Sequence, residues 1–157
     1  MIEENKIIFL DIDGPMLPMR AFFLPENNQK NSNRHYFDPI AVSMINRLLE
    51  TSRAKIVISS SWADQGLGVI TKAFSLNNIS IKSLHEDWMT PRPNGECNPN
   101  RVIEIVGWLN KHPEVTHYVA IDDMQMELKN LVKVTFHDGM LYKHMEMAAK
   151  FLNCKIY

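Results

Sequence analysis

At 157 residues, with 45% hydrophobic and 22% charged side chains, the chain has the size and composition of one globular domain with a single core. A formal net charge of −1 gives no global basic field, so nucleic acid is not imposed as an electrostatic partner. No apolar run approaches the roughly 20 residues needed to span a bilayer.

The acidic N-terminal residues and the short run Ile7-Ile8-Phe9-Leu10 do not make a signal peptide, and a soluble, cytoplasmic protein is expected. Cys97 and Cys154 match neither a zinc spacing nor a disulfide framework, so both are expected as free thiols.

Lys6 to Leu10 is brief, apolar and soon followed by Gly14-Pro15, which predicts a buried strand ending at Asp11. Residues 14–38 read as an extended loop or small flap with an apolar patch at Ala21-Phe22-Phe23-Leu24. Asp38-Pro39 then opens a helix, as N-cap and first-turn residue, with Ile40, Met44, Ile45, Leu48 and Leu49 as its core stripe. Lys55 to Ile58 predicts a second strand that runs into Ser59-Ser60-Ser61.

A helix is predicted over 64–77, a strand over 79–84 and a Pro-rich loop over 85–100. The next helix, 100–111, is expected to turn Val102, Ile105, Val106 and Leu109 inward and to end at His112-Pro113. Tyr118 to Ile121 predicts a strand ending at Asp122-Asp123. A short helical segment, a strand near 131–136 and a helix over about 140–152 follow. Strands alternating with helices predict an α/β fold, a mostly parallel sheet covered on both faces, as a single domain over 1–157.

In such a sheet the carboxyl ends of the strands lie on one edge, and ligands bind where the strand order reverses. Asp11 and Asp13, Ser59, and Asp122-Asp123 all follow predicted strands, so folding would gather them. Converging carboxylates repel unless a cation neutralises them, and hard oxygen donors suit Mg²⁺. The histidines are dispersed. His112, His117, His137 and His144 show no ligand spacing on one helix face and read as solvated or structural.

Together these segments resemble the haloacid dehalogenase (HAD) superfamily. Ile7 to Gly14 is similar to its first signature, a strand entering Asp-x-Asp-Gly. Ile56-Val57-Ile58-Ser59 is similar to the second, and Asp122-Asp123 with Glu127 to the fourth. The third is a loosely placed basic residue, for which Arg101 is the first choice and Lys72 the weaker one. Pro15 stands where the family often has Thr or Val.

The resemblance implies a three-layer Rossmann-like fold with a minimal cap and an Mg²⁺-dependent phosphomonoester hydrolase. Asp11 would be the nucleophile and Asp13 the acid–base residue. Ser59, Ser60 and Arg101 would hold the phosphoryl group, with Arg101 also stabilising the transition state. Asp11, Asp13, Asp123 and Asp122 would serve the metal. Asp123 is the more direct ligand of its pair, with Asp122 and Glu127 behind it.

The short segments between signatures leave no room for a large cap, which points to a bulky substrate. Phe22, Phe23, Tyr36, Trp62 and Trp88 could rim the site or pack the flap onto the body. The resemblance extends to HAD-type phosphotyrosine phosphatases among bacterial effectors, which puts protein phosphotyrosine first and allows export to a host cell. It also extends to the short HAD domains that accompany RNA-repair proteins, making a polynucleotide end phosphatase the main alternative.

A non-catalytic HAD-like binding module is the alternative from another class; retention of Asp11 and Asp13 speaks against it. A cysteine phosphatase is excluded by spacing, because Cys97 and Arg101 stand too close together. A receiver domain would place its acidic pair early, and a nucleotide-sugar transferase does not call for Ser59.

Overall fold

The computed structural model describes residues 4–28, 35–93, 95 and 100–157. Cys97 lies outside the described residues, as do parts of the 14–38 flap and of the predicted 85–100 loop. Five parallel strands form one sheet: β1 (Asn5–Leu10), β2 (Lys55–Ile58), β3 (Leu84–Met89), β4 (Val115–Asp122) and β5 (Leu131–Lys133). Their order is β3-β2-β1-β4-β5. From β1 the chain steps outward to β2 and β3, then crosses back to β4 on the other flank. The strand order reverses at β1.

Four helices cover the sheet: α1 (Pro39–Ser52), α2 (Leu67–Leu76), α3 (Arg101–Lys111) and α4 (Tyr142–Phe151). The two-residue period of a strand sends alternate side chains to opposite faces. Ile8 and Leu10 of β1 join the larger core, which also takes Ile45 and Leu48 of α1, Phe74 of α2 and Ala148 of α4. Ile7 and Phe9 join the smaller core, which holds Ile105 and Trp108 of α3. Both faces are therefore buried, and the central strand is wholly apolar from Ile7 to Leu10. This is the three-layer α/β arrangement expected.

Asp38 caps α1 as predicted, accepting the Ala41 N–H at 3.1 Å, and Pro39 occupies the first turn. The Asp38 carboxylate also meets Arg20 of the flap at 2.5 Å. Asn27 closes the flap on itself, donating to the Ala21 and Tyr36 carbonyls and accepting from the Tyr36 N–H, each at 2.8 Å. The described part of the flap thus holds two short 3-10 turns, Met19–Phe23 and Pro25–Asn28, and is tied to the body through Asp38.

Several boundaries differ from expectation. Ile81–Ser83 is a 3-10 turn, and the strand falls later, on the polar run Leu84–Met89. An edge strand buries only part of each face, so it shows little apolar patterning. Residues 61–65 form a 3-10 turn before α2, and none of residues 123–130 is helical. In α1, Ile40 is exposed. In α3, Val106 is exposed, while Arg101, Glu104, Ile105 and Trp108 are buried. Ion pairs made by Arg101 and Glu104 draw that side of α3 inward, so its rotation follows charge as well as apolar pattern.

Candidate active site

Leu10 pairs with Ile58 on one side and Ile121 on the other. The residues that follow, Asp11, Ser59 and Asp122, therefore stand abreast at the carboxyl edge. The ladder runs one step past Leu10, with the Asp11 N–H donating to the Ile121 carbonyl at 3.0 Å and the Ser59 N–H to the Leu10 carbonyl at 3.1 Å. This edge lies at the reversal of strand order, where open α/β sheets place their ligands.

Asp11 is 4% exposed and Asp122 1%. Arg101, the first residue of α3, reaches both. Its Nη1 lies 2.5 Å from Asp122 Oδ2 and 3.3 Å from Asp11 Oδ1. Asp122 Oδ1 accepts the Met124 N–H at 2.8 Å, so the Asp122 carboxylate is committed on both oxygens. Asp123 is less buried, and its carboxyl group stands close to that of Asp11. Oxygens from Asp11, Asp122 and Asp123 all lie within 4.8 Å of one another.

Burial pushes the Asp11 carboxyl group up to about 8, aided by the charge of Asp122 and opposed by Arg101. Asp123 is raised as well, first by burial. Three acids facing one guanidinium are short of positive charge. Their all-oxygen donor set fits a hard divalent ion such as Mg²⁺. Asp11 and Asp123 would hold such an ion most directly, because Asp122 is already engaged.

The carboxylate of Asp13, expected among the metal ligands too, is not brought into this set. The turn after Ile12 carries it to the exposed rim, where its Oδ2 accepts the Trp62 indole N–H at 3.1 Å. Trp62 in turn meets Phe37 and His35 edge-on, at 6.1 and 5.4 Å between ring centroids. Of the other aromatics considered for the rim, Phe22 and Phe23 are exposed, whereas Trp88 packs against the larger core.

Ser59 is buried, and among the described residues its hydroxyl has no hydrogen-bond partner. An orphaned buried donor costs about 1–3 kcal/mol, and a phosphoryl oxygen at this edge would satisfy it. Ser60 spends its hydroxyl on the Trp62 N–H, at 3.2 Å. Lys72 is exposed on α2. Glu127 lines a cleft of about 550 Å³ beside Arg101, together with Asn100, Met124 and Met126.

Sequence reasoning missed Arg92. Its guanidinium donates to the Ser60 carbonyl at 3.1 Å, to the Thr90 hydroxyl at 2.9 Å and to Asp64 at 2.8 Å. It also meets the fully buried Glu104 at 3.2 Å. It thereby ties the Ser59-Ser60 loop to α3, the helix that presents Arg101. The only signal was an arginine between two prolines, which does not distinguish a buried staple from a surface charge.

Gly14 has φ +102°, and a Cβ there would stand 2.8 Å from the Asp123 side chain. The glycine serves both the turn and the close approach of Asp123. Gly14→Ala is expected to cost about 1–3 kcal/mol from backbone strain alone. By displacing Asp123 it should weaken divalent-ion binding about tenfold, read by calorimetric titration. Unchanged ion affinity in the folded variant would separate Asp123 from the ion.

A family model described as the HAD domain in Swiss Army Knife RNA repair proteins matches residues 7–145. No curated protein and no solved structure matches the chain. The match runs from within the strand before Asp11 through the acidic pair and into α4, and so takes in all or most of every strand of the sheet and all the residues gathered at its edge. The chain belongs to the family of HAD domains found in Swiss Army Knife RNA repair proteins.

Proposed function

We propose that this chain is an Mg²⁺-dependent phosphomonoester hydrolase that removes the terminal phosphate of a polynucleotide. A HAD domain supports a phosphatase-type hydrolase. The observation that carries the reading is the buried Asp11 carboxyl group, flanked by Arg101 and the acidic pair and facing the strand end that bears the unpartnered Ser59 hydroxyl.

An Asp11 oxygen attacks phosphorus, and the bond from phosphorus to the leaving oxygen breaks. The Asp13 carboxyl group gives its proton to that oxygen. Water then attacks the aspartyl-phosphate, Asp13 takes up its proton, and inorganic phosphate leaves. The Ser59 hydroxyl and the Arg101 guanidinium hold the phosphoryl oxygens throughout. A bound Mg²⁺ supplies positive charge for the transferring group. The Trp62 indole fixes the direction of the Asp13 carboxyl group at the rim, where a leaving alcohol would depart.

The RNA-repair setting named in the family's description favours a polynucleotide end over protein phosphotyrosine, the substrate that sequence reading puts first. Phosphotyrosine remains the second reading, favoured by the aromatic ring of Trp62 beside Asp13. The comparison that decides is turnover, in Mg²⁺ and after chelation, of 3′- and 5′-phosphorylated oligonucleotides, phosphotyrosyl and phosphoseryl peptides and sugar phosphates. The expected result is the highest kcat/KM on an oligonucleotide end, lost on chelation. A clear preference for phosphotyrosyl peptide would move the assignment to the second reading. No turnover of any of them would leave a binding module.

A further inference from the structure

The opposite edge of the sheet carries a second group of ligating side chains, independent of the phosphatase reading. His85 and Asp87 stand two residues apart on β3, so they share one side of that strand. His112 follows the last residue of α3, and Glu114 precedes β4. Their turn is closed by the Val115 N–H donating to the His112 carbonyl at 3.1 Å. Residues 27 apart in sequence meet because the amino end of an edge strand lies beside the end of the returning helix.

The rings are held in place by Trp108, which is fully buried. His112 stacks on it, with centroids 3.7 Å apart and planes 22° apart. His85 meets it edge-on at 5.1 Å and lies 5.2 Å from His112. The Trp108 indole N–H donates to the Asp87 carbonyl at 3.0 Å and fixes the strand beside them.

The His112 imidazole lies between two carboxylates, with Nε2 2.9 Å from Asp87 and Nδ1 2.9 Å from Glu114. Nδ1 of His85 accepts the Asp87 N–H at 3.0 Å, which orients that ring. Ligating atoms of His85, His112 and Glu114 lie within 4.8 Å of one another.

We propose that His85, His112 and Glu114 form a second metal site, supported by Asp87, that takes a borderline divalent ion such as Zn²⁺. Imidazole with carboxylate suits zinc, whereas the all-oxygen set around Asp11 suits Mg²⁺. One His112 nitrogen binds the ion while the other donates to a carboxylate, an arrangement that fixes tautomer and ring orientation in metal sites. Donor atoms about 3.4 Å apart would satisfy tetrahedral zinc at bond lengths of about 2.0–2.1 Å, so the His112–Glu114 pair, now at 2.9 Å, has to open slightly while the wider spacings, all within 4.8 Å, close. The half-exposed Glu114 and Asp87 carboxylates have the freedom to do so.

The site pins the β3 edge strand, which has a sheet partner on one side only, to the turn entering β4.

The test is titration of the chelator-stripped chain with Zn²⁺ while millimolar Mg²⁺ is present, read by calorimetry and by melting temperature. Co²⁺ absorption reports nitrogen ligation. The expected result is one zinc per chain, retained in an Asp11→Asn, Asp123→Asn double variant. Binding should be at least tenfold weaker in His85→Gln and in Glu114→Gln. At a hundredfold excess over its dissociation constant, zinc should raise the melting temperature by roughly 5–10 °C in the native chain.

No zinc uptake, or uptake lost in the double aspartate variant and unchanged in the other two, would overturn the proposal. Glu114→Gln alters a half-exposed side chain and keeps the test decisive should His85→Gln fail to fold.

Discussion

Asp11→Asn is expected to lower phosphomonoester turnover by at least about 10⁴-fold while making the ion-free protein more stable at neutral pH and above. The two effects come from one carboxyl group. As the proposed nucleophile it cannot be replaced by an amide, which is a poor attacking group. As a buried acid beside Asp122 and Asp123 it is a source of repulsion. The unfolded chain gives up this proton near 3.8, whereas the folded chain holds it to about 8.

Between those values the folded state binds more protons than the unfolded one, so stability falls as pH rises through the window. Asparagine removes that slope. In chelator, melting temperatures of the two proteins should be similar near pH 4 and should separate progressively toward pH 8, with the variant higher. Added Mg²⁺ should raise the native protein more than the variant. Parallel pH profiles in chelator would mean that Asp11 carries no such strain, and substantial residual turnover would remove it as nucleophile.

The carboxyl edge with its candidate site was legible in the sequence because each of its strands announces itself locally. Ile7 to Leu10 and Ile56 to Ile58 are short apolar runs that stop at a polar residue, and parallel register then places Asp11, Ser59 and Asp122 abreast. Nothing more than alternation and strand ends is needed to bring them together. The edge strand was not legible for the same reason inverted. Its sequence, LHEDWM, is half-exposed, and its pairing with β2 shifts register between Ile56 and Ile58.

What the sequence hid is chiefly charge turned inward. Arg92 and Glu104 look like surface residues, and each would be costly to bury alone. Only the folded chain shows them 3.2 Å apart, beneath the loop that bears Ser60. The rotation of α3 follows from the same pairing. A purely apolar count turns Val106 inward, but Arg101 and Glu104 lie one helical turn apart on the opposing stripe and carry Ile105 and Trp108 in with them. His85 and His112 were hidden differently, since neither shares an element with the other and no local spacing connects them.

Arg101→Ala carries the second large effect, on stability and rate together. The guanidinium is the only basic group among the described residues that contacts Asp11 or Asp122. Removing it leaves both buried acids without their counter-charge, and about 3–5 kcal/mol of stability should be lost from the ion-free protein. Turnover should fall about 10²–10³-fold, because a positioned donor facing the phosphoryl oxygens disappears.

Arg101→Lys separates the two roles. An ammonium keeps the charge but presents one compact donor where the guanidinium reaches Asp122 and Asp11 together, so stability should return in part while turnover stays low. Paired melting curves and steady-state rates for both variants check this. Near-native turnover in Arg101→Ala, with stability lost, would reduce Arg101 to a counter-ion. With Arg101 in place, three carboxylates face one guanidinium, and a divalent ion brings the set to neutrality. On the proposed reading, an incoming phosphate would then meet the Ser59 hydroxyl and the Arg101 guanidinium rather than uncompensated negative charge. Take Arg101 away and the ion alone leaves a net negative edge, which is why the loss should be largest for the most highly charged phosphate, a dianionic monoester.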